Sequence, residues 1–181
     1  GDTMSQFANP AGRSGAAAQA YTRALLDLLG ERAPLDVLGE LPGWLEAQVA
    51  TLDDAELRRP EAPGKWSVLQ VTAHLLDAEI EHSHRTRQIA AEKDPVIEAY
   101  DQDAWAREFD YADADLGVTL HALSALRMAN LRHWSRLTPV QLERAGMHKE
   151  RGRETAAHYL KLAAGHDLVH RHQIARILAA R

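Results

Sequence analysis

Cysteine is absent from all 181 residues. That excludes disulfides, thiolate metal ligands and a cysteine nucleophile, although a thiol could still be supplied from outside. No apolar run approaches the ~20 residues needed to span a bilayer. The N-terminal segment lacks a positive region followed by an apolar core, so no secretory leader is read there and a cytoplasmic protein is expected. Concentrated positive charge is missing as well. The formal net charge is -5 and arginines are interspersed with acids, which excludes a general nucleic-acid binder. Period-2 alternation is absent and β-branched residues are few, so no strand is predicted.

What remains reads as helix. Residues 1–15 are small and polar and are expected to form a mobile tail; residues 16–181 form one all-α domain. The first helix spans 16–29 and stops at Gly30. A second covers about 34–50, interrupted or bent near Pro42-Gly43. Asp53-Asp54-Ala55-Glu56 is a capping box for a short turn, followed by a loop over 58–64. Ser67-Val68-Leu69-Gln70 is a second box, opening a helix to about Ala91. Residues 94–114 are acidic and aromatic and form a long crossover or lid, with one helical turn at 102–107. Asp115 caps a helix to about Arg136, with Leu116, Leu120, Leu123, Leu131 and Trp134 inward. Thr138-Pro139-Val140-Gln141 is a third box, the basic segment 146–154 reads as a loop, and Thr155 opens the last helix. The order capped turn, glycine-containing loop, long helix with an inward histidine occurs twice, a weak sign of duplication.

His166 and His170 are the most informative pair. Four residues advance a helix by about 40° net, so both rings leave one face, a turn apart. That face is otherwise apolar: Leu162 and Ala163 precede the pair, and Ile174 and Ile177 follow it. His74 lies on the inward side of the helix that Ser67 opens. One such histidine reads as a hydrogen-bonded core residue. Three unsatisfied rings would each cost roughly 1–3 kcal/mol, and one shared cation would satisfy them all. Spacing alone leaves both readings open, because it does not show that the helices meet.

Other side chains carry paired readings. Glu81, seven residues after His74, could be a fourth ligand, an acceptor for a ligand's N–H or a general base; the bland alternative is a solvated helix-end carboxylate. Asp77 and Asp167 could accept from a metal-bound imidazole or form surface ion pairs. Gln173 could line the cavity or fill a polar gap. Trp66 is expected to pack its loop onto the bundle. Tyr100, Trp105, Phe109 and Tyr111 could wall a pocket, and Arg151 and Arg153 could hold a carboxylate or phosphate. His82 and His84 are assigned to a solvated helix end and His172 to the surface. His121, His133, His148 and His158 have no partner at ligand spacing.

Two segments resemble the DinB/YfiT-like family. One is Gly64-Lys65-Trp66-Ser67-Val68 with His74 seven residues after the serine. The other is His166-Asp167-Leu168-Val169-His170-Arg171-His172-Gln173-Ile174, close to the family's His-Asp-x-x-His-x-x-Gln-Ile ending. Arg151-Gly152-Arg153 before the last helix is similar too, and the likeness extends over about 35–179. The resemblance implies an up-down four-helix bundle with a long crossover connection and an additional N-terminal helix. It also implies a divalent-metal site of His74, His166 and His170 with open positions. Zn, Ni, Fe or Mn all suit such ligands. Some relatives transfer low-molecular-weight thiols such as bacillithiol or mycothiol; many have no assigned activity. The leading expectation is a metal-dependent S-transferase acting on a small thiol and an electrophile. The rivals are a hydrolase using water at the metal's open position, with Glu81 or an aspartate as candidate base, and a non-enzymatic, stress-related metal-binding bundle. A homodimer through a helix face is the expected assembly, if any.

Overall fold

The computed structural model describes residues 15–180, so the expected tail lies outside the described residues except for Gly15. Helix α1 (Gly15–Leu29) ends where Gly30 takes φ 59°, a left-handed conformation that costs glycine little. α2 (Pro34–Val49) begins with proline at its first positions and runs through Pro42 without the expected interruption. The reason is a substituted hydrogen bond. Pro42 has no N–H to donate to the Leu38 carbonyl four residues back. The buried Arg127 donates to that oxygen instead, Nη1 to O 2.7 Å.

The three capping boxes form as read, at Asp53 for α3 (Asp54–Arg58), Ser67 for α4 (Val68–Ala91) and Thr138 for α7 (Pro139–Glu143). Asp115 caps α6 (Leu116–Trp134), and Thr155 caps α8 (Ala156–Ala179). Each cap gives an orphan backbone N–H an acceptor and so fixes where its helix begins.

α2, α4, α6 and α8 make the four-helix bundle. α2 packs on α6 and α8, and α4 packs on the same two. α1 is the additional N-terminal helix and lies along α8. The two backbones nearly touch at Gly165, where a Cβ would sit 2.5 Å from the Leu25 carbonyl oxygen. Burial of apolar surface holds this arrangement. One core cluster includes Leu41, Leu45, Leu69, Leu75, Leu123 and Ile174; another includes Leu38, Trp134, Leu160 and Leu168.

The expectation of no strand is corrected. β1 (Val96–Ile97), β2 (Ala145–His148) and β3 (Gly152–Thr155) form a small sheet in that order. β1 pairs with β2 in parallel and β2 with β3 antiparallel, so the segment read as a loop over 146–154 is a hairpin. Strands of two to four residues are too short to show alternation. Gly146 fits between Ile89 and Ile97, where a Cβ would meet side-chain atoms at 3.0–3.3 Å. The long connection holds β1, α5 (Gln102–Glu108) and a 3₁₀ turn at Tyr111–Asp113. Thus the predicted turn at 102–107 is present, one residue longer. No helix among the described residues is long and apolar enough to cross a membrane.

Candidate metal centre and its cavity

α4 and α8 bring the three singled-out histidines to one point. His74 Nε2 lies 3.2 Å from His166 Nε2 and 3.1 Å from His170 Nε2, and the last two are 3.1 Å apart. His74 is fully buried. A triangle of neutral imidazole nitrogens is frustrated: each Nε2 carries either a proton or a lone pair, so at least one side of the triangle joins two of a kind. A cation in the middle removes the conflict by accepting three lone pairs. Metal–nitrogen bonds of about 2.0–2.1 Å place tetrahedral ligands about 3.3 Å apart and right-angled ones about 2.9 Å apart. The observed separations fall between these, so the set fits one divalent ion held from one side.

The protonation chemistry agrees with this fit. Burial pushes His74 and His166 well below the ordinary imidazole value, reinforced by the neighbouring rings, and pushes His170 down to about 4. All three are therefore neutral near pH 7, as ligands must be. His170 Nδ1 is 2.7 Å from Gln173 Oε1. The amide oxygen accepts that N–H, which fixes the tautomer and turns the Nε2 lone pair inward. Nδ1 of His74 and of His166 has no protein partner. Trp66 packs its loop against the site as expected, its ring centroid 5.3 Å from that of His74.

A cleft with about 80 Å³ of free volume adjoins the triangle, with His166 in its wall. Glu81 lines it, on the same face of α4 as His74. Its side chain is 19 % exposed and lies 3.2 Å from Arg85 Nε, so the solvated helix-end alternative is not what the structure shows. His82 was assigned to solvent; this is corrected. The ring is buried, its Nδ1 is 2.8 Å from the Tyr159 hydroxyl, and its centroid is 5.5 Å from that of His166. His148 is also buried, at the end of β2, and its Nδ1 accepts from the backbone N–H groups of Glu150 and Arg151, both at 3.1 Å. Burial drives His82 well down and His148 to about 4.

The remaining expectations divide. His84 and His172 are exposed as read. Asp77 does not reach a histidine; it accepts from the buried Tyr111 hydroxyl. Asp167 forms neither a surface ion pair nor a contact to an imidazole. It lies in the core, accepting from Arg127 Nη1 at 2.7 Å and Nη2 at 3.1 Å. Arg127 also donates to Glu79 at 2.6 Å, and Asn130 donates to the same oxygen. Desolvation raises both carboxyls, Arg127 offsets part of that rise, and the pair holds the guanidinium firmly charged. Tyr100 walls the cleft and packs against Trp105 with the rings tilted by 51°, whereas Phe109 is 72 % exposed. Arg151 lines the cleft but binds Glu154 through two nitrogens, and Arg153 is exposed.

The reading of single residues missed His82, Tyr159, His148 and Arg127. A periodic signal existed for two of them. Tyr159 precedes His166 by seven residues, nearly the same helical face. Arg127 falls between Leu123 and Leu131 on the inward stripe of α6.

A four-helix bundle whose facing helices bring three histidines to one point defines a class of helical proteins with a metal-type site in the core. Residues 41–174 match the DinB superfamily, and the chain belongs to it. It is 32% identical over 144 residues to a protein of Bacillus mycoides (strain KBAB4), covering 78% of this chain and 80% of that one. It is 31% identical over 116 residues to YfiT of Bacillus subtilis (strain 168), covering 64% and 65%. Both relatives bear the name "Putative metal-dependent hydrolase". The solved structure of YfiT superposes with a TM-score of 0.73 at 30% identity, covering 81% of this chain and 83% of that one, and is described as having an unusual four-helix bundle topology.

Proposed function

We propose that this chain is a metal-dependent enzyme in which His74, His166 and His170 hold one divalent cation, Zn, Ni, Fe or Mn, and that it hydrolyses a small molecule bound in the adjoining cleft. The observation that carries this reading is the Nε2 triangle of 3.1–3.2 Å sides beside a cleft that reaches His166. When bound, such a cation acts as a Lewis acid and makes a nucleophile at its open position available near neutral pH. The protein's own groups do the rest. Gln173 orients His170, and the buried surroundings keep all three rings unprotonated. Glu81, in the cleft wall and paired with Arg85, is the acceptor for the proton that the nucleophile loses. The names of the relatives support hydrolysis, and the position of Glu81 supplies the base that this route needs.

Transfer of a low-molecular-weight thiol to an electrophile is the second reading. On this reading a small thiol takes the place of water in the cleft, and a chain without cysteine cannot be trapped as a disulfide with it.

Metal analysis of protein purified without a polyhistidine tag tests the common core of both readings. About one divalent ion per chain is expected, and His166→Ala abolishes it; unchanged stoichiometry in that variant overturns the assignment. Chelator-sensitive turnover of esters and amides then supports hydrolysis. Consumption of a thiol only in the presence of a chlorinated or epoxide acceptor supports transfer.

A further inference from the structure

Seven buried side-chain polar atoms among the described residues have no hydrogen-bond partner within the protein. Five of them belong to residues lining the one cleft beside the triangle: Thr22, His82, Arg85, His148 and His166. Buried polar groups are nearly always paired, so this concentration marks a place where a partner is meant to sit.

Each of the five can donate, which specifies the partner. Arg85 Nε always bears a proton; it lies 3.2 Å from Glu81 Oε2 without the alignment of a hydrogen bond. His148 Nδ1 is occupied as an acceptor of two backbone N–H groups, so in the neutral ring the proton is on the orphaned Nε2. The Tyr159 hydroxyl lies 2.8 Å from His82 Nδ1; donated to that nitrogen, its proton puts the His82 proton on the orphaned Nε2. With a cation in the triangle, His166 Nε2 gives it a lone pair and the orphaned Nδ1 bears the proton. The Thr22 hydroxyl can donate as well. A molecule that answers these groups must bring acceptor oxygens.

Charge narrows the class. The charged lining residues are Arg85, Arg151, Glu81 and Glu150, which sum to zero. A neutral wall rich in donors suits one diffuse negative charge better than a dianion. Leu25, Ala78, Leu162 and Ala163 supply an apolar side for a short carbon body.

We propose that the cleft binds the carboxylate of a small organic acid, with His82 and His148 among its hydrogen-bond donors. This names the substrate class of the proposed enzyme and so rests on the reading of the cleft as its substrate site. The donors, however, are independent of turnover.

The test is NMR of the zinc-loaded full chain with ¹⁵N-labelled histidine. His148 is expected as the Nε2–H tautomer, and propionate is expected to shift the His82 and His148 Nε2–H resonances saturably. Loss of one donor to a charged group predicts propionate affinity about tenfold weaker in His148→Phe, with one zinc retained. Thr22→Val provides a second variant, expected to weaken propionate several-fold, should the first not fold. An Nδ1–H tautomer at His148, no saturable shift, or an equal response to propylammonium overturns the proposal. Tighter binding of inorganic phosphate than of propionate overturns the carboxylate assignment. Affinity unchanged in the variants would place propionate on the zinc and overturn it too. A chain that holds no zinc yet still responds to propionate would sink the metal reading alone.

Discussion

Five imidazoles, those of His74, His82, His148, His166 and His170, are held neutral by burial, and this ties stability to pH. An unfolded histidine takes up a proton near pH 6.5. His148 and His170 resist until about pH 4, and burial holds His74, His82 and His166 well below the ordinary imidazole value. Between these limits the unfolded state binds more protons, so stability rises with pH. The contribution is complete above about 6.5 and is lost as pH falls toward 4. At about 1.4 kcal/mol per unit, His148, 2 % exposed, alone accounts for about 3 kcal/mol at the low end. The raised carboxyls of Glu79 and Asp167 oppose this where they titrate, but the rings outnumber them. The urea midpoint of metal-free protein is therefore expected to fall steeply between pH 6.5 and 4.5. A flat profile would mean that the rings titrate as exposed histidines do. Of these five, three were legible in the sequence, because His74 and the 166/170 pair sit at helical spacing on apolar faces. His82 was not, since its partner Tyr159 is 77 residues away.

At the level of elements, many boundaries were legible because α3, α4, α6, α7 and α8 announce their starts with a local cap, and caps depend on neighbours in sequence. The three short strands were not, because they exist through pairing between distant segments such as Val96 with Met147. The same limit hid what locks the helices together. Arg127 of α6 reaches the Leu38 carbonyl of α2, Glu79 of α4 and Asp167 of α8, and so joins all four bundle helices at one guanidinium. Asp167 adjoins His166, so this lock also sets where α8 presents His166 and His170. Replacing Arg127 by Met leaves two carboxylates buried without their cation and the Leu38 oxygen without a donor. Breaking a buried pair in this way costs about 3–5 kcal/mol. Arg127→Met is expected to lower the stability from urea unfolding by that amount. The further change of Glu79→Gln together with Asp167→Asn should recover part of it, since the stranded charges are then gone. No loss in Arg127→Met would show that water reaches the network.

For the molecule as a whole, the triangle is a tie between halves of the chain. Its three histidines come from α4 and α8, 92 and 96 residues apart, and nothing covalent joins those helices except the intervening chain. A cation held there binds the folded state and not the unfolded one, so its binding free energy adds to folding. At a free concentration a hundred times the dissociation constant, the gain is about 2.7 kcal/mol. For a chain of this length each kcal/mol moves the midpoint by about 2–4 °C, so thermal unfolding should fall by about 5–10 °C on chelation and return on adding zinc. His74→Ala separates this tie from nonspecific effects, because it deletes the α4 end while leaving the 166/170 pair intact. In that variant the midpoint should respond weakly to chelator or zinc. A full response there would mean that the cation stabilises α8 alone, and the two halves would then be joined only by packing and by Arg127.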